Sequence, residues 1–345
     1  MSDNRIIRVG ISVGDLNGVG VELILKTFED KRVYDLCTPV VYASDKVMSY
    51  YKKQLKFNYP INFIADSQGI EEGKLNVIKV WDEIVELQPG IPTQVSGQKA
   101  FESLAAATEA LNKEEVDVLL TAPISKDNIQ SEEFNFPGHT EYLESKIDGE
   151  SLMILMSKYI KVGLVTGHIP VSEVSAALNK ELICKKIDIM YQSLLQDFGI
   201  SKPRIAVLGL NPHCGDHGVI GKEDDELIRP LLEEYQEKGQ LVYGPYAADG
   251  FFGNQFYQKF DGVISMYHDQ GLVGFKAISF GEGVNFTAGL AKVRVSPDHG
   301  TAFDIAGKGT ANVSSFQEAL YNGISIIKKR KEYQKLTANS LKTKK

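Results

Sequence analysis

Short apolar runs alternate along this chain with longer stretches of helical periodicity, and that alternation limits the fold more than any other feature. The runs 6–12, 39–43, 116–121, 152–156, 161–165, 204–208 and 262–266 read as buried strands. Between them, 46–54, 94–112, 181–198, 223–238 and 312–330 read as helices. In the second of these, Phe101, Leu104, Ala105, Thr108 and Leu111 fall three and four residues apart on one face. Strands separated by helices give parallel βαβ units with helices on both sheet faces. A chain of 345 residues exceeds the size at which one core keeps growing, so two domains are expected. No linker marks their border, as expected if the chain crosses between them more than once.

Charge narrows the partners. A net charge of −7 argues against nucleic acid, which needs a concentrated basic surface. The basic runs 328–331 and 342–345 read as a solvated last helix and a frayed tail. No run of about 18 apolar residues offers a membrane span, and no signal-peptide pattern opens the sequence. Cys37, Cys184 and Cys214 are scattered without CxxC spacing and read as reduced thiols. A cytoplasmic protein acting on a small molecule is the expectation.

Three of the strand candidates end in a histidine loop: Val165-Thr166-Gly167-His168, Gly209-Leu210-Asn211-Pro212-His213 and Ser265-Met266-Tyr267-His268-Asp269-Gln270-Gly271. Ligands of open α/β sheets collect beyond the carboxyl ends of the strands. A lone loop histidine is ordinarily a solvated polar residue. Three behind successive strands make His168, His213 and His268 candidate ligands of a divalent metal with positions open for substrate. His217 reads as an exposed turn residue and Cys214 as a packed thiol, although either sits close enough in sequence to join the site.

Other loops carry further candidates. In Gly138-His139-Thr140-Glu141, Thr140 reads as the N-cap of a helix whose first N–H groups favour a phosphate or carboxylate. Lys276 and Arg294 stand between apolar neighbours in apparent strands, and an anionic ligand would justify turning them inward. The glycines of Gly14-Asp15-Leu16-Asn17-Gly18-Val19-Gly20 match neither a dinucleotide fingerprint nor a P-loop. The stretch 298–312 is a polar, Gly-rich loop around a short helical turn, suited to wrapping a planar or phosphate-bearing ligand. From these residues alone, three readings stay open: a dehydrogenase, a hydrolase whose metal activates water, and a non-catalytic metal or phosphate binder.

Taken together, Thr121-Ala122-Pro123, Gly138-His139-Thr140-Glu141, Asn211-Pro212-His213, Tyr267-His268-Asp269-Gln270-Gly271, Gly283-Val284-Asn285 and Asp298-His299-Gly300-Thr301-Ala302 resemble the 4-hydroxythreonine-4-phosphate dehydrogenase family of vitamin B6 biosynthesis. The resemblance runs from about residue 6 to 325. Asp304-Ile305-Ala306-Gly307-Lys308-Gly309 is also similar to the cofactor loop of isopropylmalate dehydrogenases. Departures are Asn-Pro-His-Cys-Gly-Asp-His at 211–217, where the family often has Asn-Pro-His-Ala-Gly-Glu, and Gly-Asp-Leu-Asn-Gly at 14–18, where many members carry Gly-Glu-Pro-x-Gly.

The resemblance implies an α/β, two-domain, three-layer αβα fold of the isocitrate/isopropylmalate dehydrogenase type, with an active-site cleft between domains. The first domain would be 1–125 plus 290–345, the second 126–289. It implies His168, His213 and His268 as ligands of one divalent ion (zinc, cobalt or magnesium) shared across a homodimer interface. Substrate would meet His139, Thr140, Lys276, Asn285 and Arg294, and NAD (or NADP) would lie against His299, Gly300, Asp304 and Asn312. The reaction implied is oxidative decarboxylation of 4-phosphooxy-L-threonine to 3-amino-2-oxopropyl phosphate and CO2. Phosphorylated relatives such as 4-phosphothreonate are the alternative substrates. The metal would polarise the hydroxyl, Lys276 would stabilise charge or relay a proton, and Asp249 or Asp269 would orient a metal histidine.

Overall fold

A computed structural model describes residues 5–338 of the chain. These divide into two compact units, one formed by the chain up to Gly149 with Leu290–Ser325, the other by Glu150–Gly289 with the chain from Ile326 on. The expected border at 289/290 stands, but the segment 126–149 packs with the first unit, moving the border expected at 125/126, and the end of the last helix packs with the second, adding a further crossing at 325/326. The reason is local: Phe134, Tyr142, Leu143 and Ile147 sit in one core cluster with Leu104, Leu111 and Leu119.

The first unit opens with β1 (Arg8–Ser12), α1 (Gly20–Thr27), β2 (Thr38–Ala43), α2 (Asp45–Gln54), β3 (Ile61–Ile64), β4 (Leu75–Lys79), α3 (Gln94–Asn112), β5 (Val118–Thr121) and α4 (His139–Glu144). Helix α3 forms where sequence places it. A capping box starts it, with Thr93 accepting from the Ser96 N–H and Ser96 returning the bond. Its buried Ala100, Leu104, Ala107 and Leu111 lie one turn apart.

The second unit follows with β6 (Gly149–Met156), β7 (Lys161–Leu164), α5 (Val174–Ala177), α6 (Lys180–Gln196), β8 (Arg204–Leu208), α7 (Arg229–Glu237), β9 (Leu241–Tyr246), α8 (Ala248–Gly253), β10 (Gly262–Ser265), α9 (His268–Ser279) and β11 (Val284–Leu290). The chain then returns through β12 (Val293–Pro297) and ends in α10 (Ser314–Ala338).

Strands of the first unit lie in the order β3-β4-β2-β1-β5-β12, every pair parallel. Those of the second lie in the order β11-β6-β7-β10-β8-β9. There β7, β10, β8 and β9 are parallel neighbours, but β6 and β7 run antiparallel, with Ile154 opposite Gly163. The parallel expectation fails at this pair because only the short link between Met156 and Lys161 joins them, too little chain for a crossover helix.

Two further expectations are corrected. Lys276 lies on helix α9, not in a strand. In the basic run of the last helix, Arg330 is buried rather than solvated, and its Nε donates to Asp197 Oδ1 at 2.7 Å. The run 342–345 lies outside the described residues. Asp197 also accepts from Ser193 Oγ at 2.9 Å, so the pair fastens α10 to the end of α6 inside the second unit. Removing one member of a buried ion pair strands the other, typically at about 3–5 kcal/mol. Arg330→Ala should therefore lower the urea midpoint of the second unit's unfolding by a corresponding amount, whereas Lys328→Ala, on the exposed face, should leave it in place.

Candidate active site

In the second unit the three histidine loops leave the carboxyl ends of adjacent parallel strands β7, β10 and β8. Side chains stitch these ends together. Thr166, beyond β7, donates its hydroxyl to the Met266 carbonyl beyond β10 at 2.7 Å. Gln270 accepts from Met266 N at 2.7 Å and donates to the Gly209 carbonyl beyond β8 at 2.5 Å. His168 and His268 are brought together, their ring centroids 5.5 Å apart. Asp269 Oδ1 lies 2.7 Å from His268 Nδ1. With that nitrogen engaged, the tautomer is set and Nε2 is left for a ligand.

His213 is held differently. Its loop runs through left-handed backbone at His213, Cys214, Asp216 and His217, with φ between 43° and 54°. Such conformations cost non-glycine residues on the order of 1–3 kcal/mol each and persist only where the surroundings enforce them. Buried Asp224 does so here. It accepts from Leu210 N at 2.8 Å, Asn211 N at 3.0 Å and Asn211 Nδ2 at 3.0 Å. Glu223 adds a bond from Asn211 Nδ2, and hydrogen bonds from Ser175, its own backbone and Asn211 hold its carboxyl down at about 2. Glycine is required at 209, because a Cβ there would stand 2.6 Å from Asp224 Oδ1.

The paired His168 and His268, with a carboxylate on the second ring, are a donor set that suits a divalent cation. Among the described residues, however, no three His, Cys, Asp or Glu side chains converge closely enough to hold one, so His213 does not join the pair in this arrangement. His213 and His217 are both exposed. Burial, then Asp224, pushes the Cys214 thiol up to about 11, which keeps it protonated and a poor ligand. Asp249, in the first turn of α8, acts electrostatically on Cys214. Lys276 is exposed on α9, about two turns beyond His268. Asn285 on β11 is half-buried, its Oδ1 sealed from solvent without a hydrogen-bond partner.

The first unit holds His139 and Arg294. Arg294, on β12 beside β5, is buried and donates to Thr121 Oγ1 through Nε at 3.1 Å and Nη2 at 2.7 Å. Burial lowers this guanidinium to about 9, and the Glu141 carboxylate opposes the shift. His139 lines a cavity of about 130 Å³ with Thr121, Lys126, Ser296 and His299. Its Nε2 is sealed from solvent and unpartnered, and burial, then Arg294 and Lys126, drives its pKa well below 6.5. Thr140 does not cap α4. Gly138 is the N-cap and His139 the first helical residue, because extended Gly138 turns the chain directly into the helix. Thr140 is half-buried within the first turn.

The expected cofactor loop is also in the first unit. His299 Nδ1 lies 2.6 Å from the Gly300 carbonyl, and Asn312 Oδ1 accepts from Ser314 N at the start of α10. Gly300 and Asp304 are exposed, and Lys308 Nζ bonds the Asp304 carbonyl at 2.7 Å. The residues that set this loop's shape went unnoticed in the sequence. Buried Glu22 accepts from Gly309 N at 3.2 Å and Ala311 N at 2.8 Å. One helical turn later, Lys26 donates to the carbonyls of Gly309 at 2.7 Å and Ala311 at 2.9 Å. An acidic and a basic residue spaced i, i+4 on α1 are the only sequence trace of this clamp.

Two six-stranded parallel or largely parallel α/β units, with imidazoles at strand ends in one and a buried arginine–histidine cavity in the other, define an enzyme of the dehydrogenase-like α/β class. The pyridoxal phosphate biosynthetic protein PdxA family profile matches residues 35–322. A 4-hydroxythreonine-4-phosphate dehydrogenase from Bacteroides thetaiotaomicron is 48% identical over 344 residues, 99% of this chain and 94% of the relative. One from Sulfurihydrogenibium sp. is 36% identical over 328 residues, 94% of this chain and 100% of the relative. The solved structure of a 4-hydroxythreonine-4-phosphate dehydrogenase from Burkholderia phymatum superposes with a TM-score of 0.76 at 33% identity, covering 94% of this chain and 99% of that one. The chain belongs to the PdxA family.

The depressed His139 fixes the sign of a pH effect. A histidine whose pKa falls on folding contributes stability that is present above about 6.5 and lost as pH drops toward the folded value. Unfolding free energy should fall by about 1.4 kcal/mol per pH unit below 6.5 on this account. The pH dependence of His139→Asn should be flatter in that window, as read from urea melts at stepped pH. Glu22→Gln can satisfy fewer of the loop's N–H groups and should cost about 1–3 kcal/mol in the same melts.

Proposed function

We propose that the chain is a metal-dependent, nicotinamide-linked dehydrogenase that converts 4-phosphooxy-L-threonine to 3-amino-2-oxopropyl phosphate and CO2 in pyridoxal phosphate biosynthesis. The observation that carries this is near-full-length identity of 48% to a 4-hydroxythreonine-4-phosphate dehydrogenase. NAD, or NADP in its place, lies in this proposal along His299, Gly300, Asp304 and Asn312, on the loop that Glu22 and Lys26 shape. A divalent ion, zinc, cobalt or magnesium, would be held by His168, His213 and His268, in a site shared between the two copies of a homodimer.

What the ion supplies is Lewis acidity toward the oxygen on carbon 3, and what the nicotinamide supplies is a hydride acceptor. The chain's own groups do the rest. Asp269 fixes the His268 tautomer so that Nε2 faces outward. Thr166 and Gln270 keep the loops of His168 and His213 in register with that of His268. Arg294 and neutral His139, with Thr140 beside it, bind the anionic substrate. Asn285 Oδ1, unpartnered, accepts a substrate hydrogen. Lys276 would stabilise charge or relay a proton to the carbon that loses the carboxylate, and Asp249, like Asp269, is a candidate to orient a metal histidine.

A homodimer is part of the proposal. Exposed apolar side chains follow each histidine: Ile169 and Val171 after His168, Val219 and Ile220 after His213, and Val273 and Phe280 after His268. Exposed apolar side chains on the elements that carry the metal histidines suit a contact face for a second copy. No helix among the described residues is long and apolar enough to cross a membrane; the proposed location is the cytoplasm.

The test is turnover with 4-phosphooxythreonine, NAD and a panel of divalent metals, following NADH absorbance and released CO2 together. Both should appear in equal amounts, and NADH without CO2 would overturn oxidative decarboxylation. Faster turnover of 4-phosphothreonate would move the assignment to that substrate. Asp269→Asn should weaken metal affinity about 10–100-fold, measured by metal titration.

A further inference from the structure

We propose that Lys126 is a ligand of the substrate's phosphate, completing with Arg294, His139 and Thr121 an oxyanion site in the first unit. It rests on the reading of the chain as acting on a phosphorylated hydroxy acid, and it adds a residue that no sequence motif singled out. The cavity at His139 contains no carboxylate in its lining; Lys126, His299, Thr121 and Ser296 all offer donors. Its volume of about 130 Å³ has room for a tetrahedral oxyanion.

Thr121 points to the ligand. The residue is fully buried, and its Oγ1 receives both Nε and Nη2 of Arg294. Two incoming bonds occupy both lone pairs, so the hydroxyl hydrogen remains to be donated, and the cavity is where an acceptor would stand. His139 Nε2, sealed and unpartnered, is a second polar atom awaiting a partner on the same wall.

Lys126 supplies what these groups lack. Its side chain passes over Gly138 at the start of α4, with Cε 3.8 Å from the point a Cβ at 138 would occupy. Its charge, like that of Arg294, acts on the His139 ring, and Lys126 and His139 both line the cavity. The charge of Arg294 is partly offset by Glu141. Glu141 Oε2 lies 3.4 Å from that same point over Gly138, so one carboxylate stands near both cations. A phosphate dianion, with two charges to neutralise, calls on both Arg294 and Lys126. Lysine suits the exposed rim because its ammonium is a mobile point charge that closes on the anion as water leaves.

The test uses the full-length protein and inorganic phosphate as probe. Titration calorimetry and the His139 ring resonances should report phosphate binding to wild type. Lys126→Met should weaken it at least tenfold and Lys126→Arg should recover most of the loss, with thermal melts unchanged for both. Absence of phosphate binding to wild type, or equal binding to Lys126→Met, would overturn the proposal whether or not the turnover assay succeeds. With 4-phosphooxythreonine, Lys126→Met should raise KM tenfold or more and change kcat little. With the unphosphorylated 4-hydroxythreonine the same variant should carry no KM penalty; a penalty that persists would assign Lys126 to the carboxylate instead and overturn the phosphate assignment.

Discussion

Parallel strands end with backbone groups that the ladder no longer satisfies, and in the second unit those ends are tied to one another by side chains. Thr166 takes the Met266 carbonyl, Gln270 takes Met266 N and the Gly209 carbonyl, and Asp224 takes the N–H groups of Leu210 and Asn211. Each bond is modest by itself, about 1 kcal/mol net. Their value lies in position: they fix where three loops leave three strands, and every candidate metal ligand rides on one of those loops. Removing Asp224 would release not a ligand but the left-handed backbone that presents His213.

The first unit solves a different problem by similar means. Its cavity needs cationic groups in a buried setting, and burial penalises their charged forms. Arg294 remains a strong donor because Thr121 takes two of its N–H groups and Glu141 faces it electrostatically. His139 yields to the same penalty and is neutral at physiological pH. The outcome is one permanent cation beside one neutral imidazole, a pairing that binds an anion without paying twice for desolvation.

How much of this was legible depended on range. Helix α3 and the strands ending in His168, His213 and His268 follow from local periodicity, and the structure places them within a residue or two of expectation. Strands β3, β4 and β11 escaped because each carries polar residues within a short run, and β9 because Gly244-Pro245 interrupts it. Lys276 was misplaced because Phe275-Lys276-Ala277 has the alternation of a strand, while the helix that holds it is set by His268–Ser279 as a whole. Arg330 looked like surface charge because its partner Asp197 lies 133 positions away. Glu22 and Lys26 left only their i, i+4 spacing as a trace, because the loop they hold lies more than 280 positions away; Asp224 left none, because its main partners are backbone N–H groups, which carry no residue signature.

That distinction also explains the two departures from the family's usual motifs. In Gly14-Asp15-Leu16-Asn17-Gly18, Asp15 accepts from Asn17 N, Ser96 Oγ and Asn128 Nδ2, and Asn17 donates to the Ile91 carbonyl while accepting from Gln88 N. Gly14 has φ +68° and presses against the Pro123 carbonyl, which leaves no space for a side chain. These residues anchor neighbouring loops, and none lines the His139 cavity. At the other departure, Cys214 is held protonated inside the His213 loop, and its sulfur closes on Gly209 rather than on a ligand position. Both changes fall on groups that hold backbone in place. Scaffold of that kind can be rebuilt with different side chains provided the same N–H and carbonyl groups are satisfied, whereas an imidazole at a strand end or an arginine behind a threonine has no such substitute.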